Sequence, residues 1–200
     1  IGIDIGGTTI KAVVMENFSR SPDKFWKEET PKSRSEIAKK IQKLFKDMLS
    51  DGARDILGMG IAVAGIVDRE KGKIIKAPNI KAMDGWDIAS FMKEKMGVLV
   101  KIDNDAKAFL RAEARFGAAR NKKNAIGVVI GTGIGGSFMV DGKIVEGAHG
   151  AAGEFGRMFM YTKRVEQLEK LGGKRAYEKY GDRSKIIGEG TASLVNVFDP

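Results

Sequence analysis

Apolar residues alternate with small and polar ones from Ile1 to Ile5, break at Gly6-Gly7-Thr8-Thr9, and resume from Ile10 to Met15. This spacing predicts two strands joined by a tight glycine turn. Phe25 to Glu29 adds a third, mostly exposed strand, closed by Pro31. Ser33 and Glu36 stand at capping-box spacing, and Ile37, Ile41, Leu44, Phe45 and Met48 repeat at helical period as far as Ser50, which predicts a helix. Ile56 to Val63 reads as a buried strand, apolar on both faces apart from its glycines, emptying into the loop Ala64-Gly65-Ile66-Val67-Asp68. Beyond Ala77-Pro78-Asn79 the pattern predicts a short helix near Asp87 to Lys95 and a strand from Val98 to Ile102. Asp103-Asn104-Asp105 then leads into a helix from Ala106 to Phe116. The first half is therefore ββ(β)αβαβα, with parallel strands expected.

The opening pattern then returns. Ala125 to Ile130 predicts a strand, Gly131-Thr132-Gly133-Ile134-Gly135-Gly136 a glycine-rich turn, and Ser137 to Val140 the next strand. Asp141-Gly142 is a two-residue hairpin turn into Lys143 to Val145. A helix is expected at Val165 to Leu171. A weak internal repeat of this kind predicts two similar lobes with a cleft between them, an N-terminal lobe at 1–120 and a C-terminal lobe at 121–200.

Composition narrows the class. Two hundred residues with 42% hydrophobic and 30% charged content exclude a mainly disordered chain. No apolar run approaches the roughly 20 residues of a membrane span, and no basic stretch precedes the first strand, so neither a signal peptide nor a membrane anchor is expected. The absence of cysteine excludes disulfides, thiolate metal sites and cysteine nucleophiles, and suits the cytoplasm. The net charge of +9 raises the question of nucleic acid. Lys39, Lys40, Lys43 and Lys46 fall on the outer face of one predicted helix, and Arg120 to Lys123 lies between elements. These charges read as a solvated surface, compatible with an anionic small molecule, and nucleic acid is not expected.

The two glycine turns are the first candidate chemistry. Without Cβ atoms, backbone N–H groups can approach phosphate oxygens, and Thr8, Thr9 and Thr132 add hydroxyl donors. Either turn alone is also explained as a tight hairpin, but the pair, each behind a buried strand, favours a polyphosphate. Neither is a Walker loop, and neither opens a helix as a dinucleotide fingerprint does. Asp4 beside the first turn would repel phosphate unless a cation intervened, for which magnesium is suited; otherwise it caps the turn. Asp105 follows Asn104 where a strand ends and a helix begins, the edge of an open α/β sheet that faces ligand. There it can take a proton from an attacking hydroxyl that Asn104 orients, unless the three polar residues merely cap the helix. Gly147 to Gly156 is almost entirely small residues around His149 and Glu154, letting backbone and carboxylate approach a compact polar ligand. Glu154 suits sugar-like hydroxyls; a lone histidine cannot form a metal site by itself.

Asp4 to Lys11, Gly60 to Asp68, Ala77-Pro78-Asn79, Asn104-Asp105-Ala106, Gly131 to Gly136 and Gly147 to Gly156 resemble, in order and spacing, the signature blocks of the ROK family of sugar kinases. The resemblance covers residues 1 to about 160. It implies an actin-like (ribonuclease H-like) α/β fold of two lobes around a central cleft, and ATP-dependent phosphorylation of a hexose 6-hydroxyl with Asp105 as general base. It further implies a sugar pocket lined by Gly65, Asn79, Asn104 and Glu154 with His149 close by. Phosphate contacts are implied for Gly6, Gly7, Thr8, Thr9, Lys11, Gly131, Thr132 and Gly133, with Asp4 acting through Mg2+. A homodimer is expected of the complete protein.

Three departures matter. Many members follow the Gly-Glu-Ile-Gly run with a histidine and a cysteine cluster that bind a structural zinc. Here Arg157 stands at the histidine position, so no zinc is expected, and contacts to the sugar's 1- and 2-positions do not carry over. Ala64 replaces the usual proline before Gly65. The chain also stops at Asn196 to Pro200 without the segment that holds adenosine, and it starts without Met, so a truncated chain with an incomplete second lobe is expected. The alternatives are a non-catalytic sugar-sensing or transcriptional regulator, whose helix-turn-helix would precede the first turn, and a kinase using polyphosphate as donor.

Overall fold

The computed structural model describes residues 1–16, 24–131, 133–161, 165–173 and 183–200. The chain forms two compact units, Ile1–Asp105 and Ala106–Pro200. The division falls ahead of the boundary expected after residue 120. The intervening helix packs Leu110 against Ala119 and Met139, residues of the second unit.

In the first unit, β1 (Gly2–Ile5), β2 (Thr9–Val14) and β3 (Lys24–Glu29) form an antiparallel meander. Helix α1 (Arg34–Ser50) starts at its cap Ser33, whose Oγ accepts the Glu36 N–H at 3.3 Å and donates to Glu36 Oε2 at 2.6 Å; the expected capping box thus forms its cap, with the Glu36 carboxylate on the Ser33 hydroxyl instead of the Ser33 N–H. Ile37, Ile41, Leu44 and Met48 of α1 are buried. At about 1.5–3 kcal/mol for each fully buried side chain, against about 1 kcal/mol for a cap, this stripe decides the helix and the cap fixes where it begins.

Strand β4 spans Met59–Val63, shorter than expected: Leu57 is 85% exposed, so the apolar run Ile56-Leu57 lies outside the sheet. The loop expected over Ala64 to Asp68 instead enters a hairpin of β5 (Ile66–Asp68) and β6 (Lys73–Lys76), which buries Val67 and Ile74. Helix α2 (Ile88–Met96) is capped by Asp87, which accepts the Ser90 N–H at 3.1 Å. Strand β7 (Val100–Asn104) sits two residues later than predicted and draws Asp103 and Asn104 into the sheet, so they are strand residues rather than helix caps. Helix α3 (Asp105–Phe116) follows without a loop.

The five strands order as β3-β2-β1-β4-β7, with β1, β4 and β7 mutually parallel. Their register pairs Ile5 with Val63 and Val63 with Asn104. Three parallel strands thus end on one row, and whatever follows each emerges at the same sheet edge. Beneath that edge Ile3, Ile5, Ile10, Ile61, Val63 and Ile102 pack into one core with α1 and α2.

The second unit is built on β8 (Ala125–Ile130), β9 (Ile134–Val140) and β10 (Lys143–Ile144), all antiparallel. Asp141 and Gly142, with φ of 49° and 75°, form the expected two-residue turn. Because β9 begins at Ile134, Gly135 and Gly136 belong to the strand and not to the expected glycine-rich turn. Beyond a short hairpin of β11 (Phe159–Tyr161) and β12 (Val165–Gln167) come α4 (Leu168–Gly172) and α5 (Ser184–Phe198). The helix expected from Val165 therefore starts only at Leu168. Among the described residues, no helix is long and apolar enough to cross a membrane.

Candidate active site

Three segments leave the first sheet at the Ile5–Val63–Asn104 row. Behind β1, the Gly6 N–H donates to Thr9 O at 3.0 Å to close the hairpin turn. Thr30 grips the turn from outside: its Oγ1 donates to Gly6 O at 2.7 Å and its N–H to Thr8 O at 3.0 Å. Two turn carbonyls are engaged, whereas among the described residues no hydrogen bond takes up the N–H groups of Gly7 and Thr8, both exposed. A turn with occupied acceptors and open donors is suited to an anion.

Asp4, at the end of β1, pairs with Lys11 across the hairpin at 3.4 Å, with both side chains close to half exposed. Such a pair contributes about 0–1 kcal/mol, so a cation arriving with phosphate can take the carboxylate. One carboxylate beside an amide-lined turn fits magnesium that keeps waters and binds phosphate oxygens. Among the described residues, no group of three or more His, Cys, Asp or Glu is placed to hold a metal by itself.

Behind β4 comes Gly65. A Cβ there would lie 2.3 Å from Lys76 O and 3.0 Å from the Ala77 Cα, so a side chain would push this loop off the segment that leads to Asn79. That segment also reaches the first turn: a Cβ on Gly7 would stand 2.9 Å from the Asn79 Cβ. Behind β7, Asn104 Nδ2 donates to Gly65 O at 2.9 Å and to Asp105 Oδ1 at 3.1 Å. A carbonyl only accepts, which identifies the nitrogen of this amide. The Asn104 N–H donates to Asp103 Oδ1 at 2.9 Å, and Asp103 Oδ2 lies 3.7 Å from Arg69 Nε. Asn104 is buried and Asp105 half-buried. The first unit thus gathers Gly6, Gly7, Thr8, Thr9, Gly65, Asn79, Asn104 and Asp105 along one sheet edge.

The second unit holds the remaining candidates. The Gly131 N–H is spent on Gly133 O at 2.9 Å, and a Cβ on Gly133 would meet Glu169 Oε2 at 3.1 Å, so this turn has a donor committed and a carboxylate beside it. Thr132 lies outside the described residues. His149 is exposed in the loop after β10, and Glu154 Oε2 forms an ion pair with Arg157, 2.9 Å from its Nε. Phe155, next to Glu154, is buried, stacks on Phe138 with ring centroids 6.1 Å apart and meets the tilted ring of Phe198 at 5.9 Å. These rings anchor the backbone that carries Glu154.

Three further residues shape the site in roles that the sequence does not signal. Thr30 is signalled only by its place after an edge strand. Arg157 was noticed as a departure, not as a partner of Glu154. Lys107, 2% exposed, was legible as a charge at the head of the i, i+3, i+7 stripe Lys107–Leu110–Ala114.

The glucokinase of Streptomyces coelicolor is 30% identical over 193 residues, covering 94% of this chain and 57% of that protein. The xylose repressor of Caldicellulosiruptor bescii is 31% identical over 163 residues, covering 78% and 40%. The chain spans about half the length of the curated relatives it matches. A ROK family glucokinase from Streptomyces griseus, solved with glucose and AMPPNP, is 29% identical with TM-score 0.78, over 98% of this chain and 64% of that one. An inorganic polyphosphate/ATP-glucomannokinase from Arthrobacter sp. strain KM is 26% identical with TM-score 0.85, over 100% and 79%. With the ROK family model matching residues 1–180 as well, the chain belongs to the ROK family and takes the actin-like α/β fold.

Proposed function

We propose that the complete protein phosphorylates the 6-hydroxyl of a hexose, with ATP as donor. The observation that carries this reading is the Gly65–Asn104–Asp105 chain of hydrogen bonds at the sheet edge it shares with the open glycine turn. Asn104, fixed through Gly65 O, holds one oxygen of the Asp105 carboxylate. The carboxylate accepts the proton of the sugar hydroxyl as the alcohol oxygen bonds to the γ-phosphorus and the bond to the ADP oxygen breaks. Gly65, Asn79, Asn104, His149 and Glu154 bind the sugar.

The N–H groups of Gly7 and Thr8 bind phosphate oxygens, with Thr9 and Lys11 beside them. In the second unit the turn of Gly131, Thr132 and Gly133 binds phosphate through donors other than the Gly131 N–H, and Glu169 beside it calls for a neutralising cation. Magnesium, held through Asp4, supplies charge neutralisation on the phosphates when bound. Absence of cysteine supports a cytoplasmic setting, and we assign the complete protein a homodimeric state.

The test is a coupled assay of the complete protein over glucose, mannose, N-acetylglucosamine and N-acetylmannosamine, followed by Asp105→Asn. We expect kcat to fall by roughly 10²–10⁴ with sugar binding largely kept. An unchanged kcat removes Asp105 from the chemistry. The likeness to the Arthrobacter enzyme favours polyphosphate as a second donor, which the same assay decides by exchanging ATP for polyphosphate. The xylose repressor likeness favours sugar sensing without turnover, and sugar binding with no donor consumed would establish it.

A further inference from the structure

A lysine ammonium is among the costliest groups to bury, and it stays charged inside a protein only when oxygens replace its water. Lys107, on the first turn of α3, is 2% exposed. Its Nζ donates to Glu146 O at 3.2 Å, to Glu146 Oε2 at 2.9 Å and to Gly150 O at 2.8 Å. Arg111, one helical turn further along α3, donates to the other carboxylate oxygen of Glu146. The two carbonyls belong to the two ends of one short loop, and between them stand Gly147, Ala148 and the exposed His149. The Ala152 N–H closes the same loop from behind by donating to Glu146 O at 3.1 Å. A purely structural helix would place an aliphatic residue at this stripe position. A buried charge that bridges both ends of a loop instead fixes the span between its anchors.

We propose that Lys107 is the positioning residue of the sugar-reading loop. Its ammonium, with the Glu146 carboxylate that Arg111 steadies, clamps residues 146 and 150, so that the backbone from Gly147 to Gly153 and the His149 side chain are presented in one conformation. The proposal rests on the hexose kinase reading for what the loop reads, and on the hydrogen bonds alone for how the loop is held. Lys107 acts through the loop, so its loss falls on sugar affinity rather than on turnover or donor affinity.

Lys107→Met keeps the volume and removes the charge. We expect amide hydrogen exchange of residues 147–153 in the sugar-free protein to accelerate at least tenfold, while exchange in Ala125–Ile130 stays unchanged. The sugar KM should rise roughly 10- to 100-fold, with kcat within about threefold and donor KM within about twofold. Unchanged exchange in the loop, or an unchanged sugar KM once the loop is loosened, overturns the proposal. Should Lys107→Met fail to fold, Glu146→Gln keeps the shape and removes the partner charge. It should give the same pattern at smaller amplitude, and a null result there is equally decisive. If the wild type phosphorylates no sugar, the functional reading fails, while the exchange measurement still decides the clamp.

Discussion

The two units position their candidate residues by different physical means. In the first, β1, β4 and β7 end on one row, so the backbone register sets where Gly6, Ala64 and Asp105 emerge, and short amide-to-carbonyl bonds finish the work. In the second, residues 147–156 belong to no strand, and beside local backbone bonds and the Phe155 ring contacts they are tied by side-chain charge: Lys107 and Arg111 on Glu146, Arg157 on Glu154. Register is indifferent to ionic strength, and the exposed Arg157–Glu154 pair, unlike the buried Lys107, is not. Under the proposed function, a protein divided this way can alter its ligand by changing charges in one unit and leave the proposed proton-accepting carboxylate where it stands.

The contrast is broken most forcefully at Gly65. Gly65→Ala drives a Cβ to 2.3 Å from a backbone oxygen, and we expect a loss of about 1–3 kcal/mol, visible as a thermal midpoint lowered by several degrees, together with loss of sugar binding. A wild-type midpoint would mean that the sheet edge yields easily and is not the rigid half of the pair. Asn104→Ala comes next. It removes the donor to Gly65 O and to Asp105, for which about 1 kcal/mol of stability and roughly tenfold in kcat are expected, read by denaturant titration and steady-state kinetics. Equal kcat in the two proteins would release Asp105 from dependence on Asn104.

The smallest effect belongs to the second unit's exposed pair. Arg157 and Glu154 are 46% and 35% exposed, so Arg157→Gln should change the sugar KM by less than about threefold and leave the midpoint alone. Salt near 1 M, where the screening length is about 3 Å, should bring the wild type to the variant's KM. A salt-independent wild-type KM would erase the distinction between the units.

Much of the first unit was legible in the chain because its signals are local. The Ser33–Glu36 box and the stripe Ile37 to Met48 specify α1 within a few turns, and the Gly6-Gly7 break marks the hairpin. Asn104 and Asp105 were found by the rule that parallel strands face ligand with their carboxyl ends. The β5–β6 hairpin escaped because it buries only Val67 and Ile74 in strands of three and four residues, too few to show a period. Val165, Leu168 and Leu171 mimic a helical stripe, yet the first of them pairs across a hairpin with Tyr161. The Lys107 clamp was beyond pattern alone, because its acceptors are two backbone carbonyls and a carboxylate some forty residues downstream, and carbonyls carry no signature in a sequence.

Thr30 has a mechanical consequence. It follows β3, the outermost strand of its sheet, and edges are where sheets fray first. Two bonds join the residue after that rim to the hairpin bend, so opening of the rim would act directly on the bend. The readiness of the Gly7 and Thr8 amides is then tied to an edge strand of the sheet and not only to its interior.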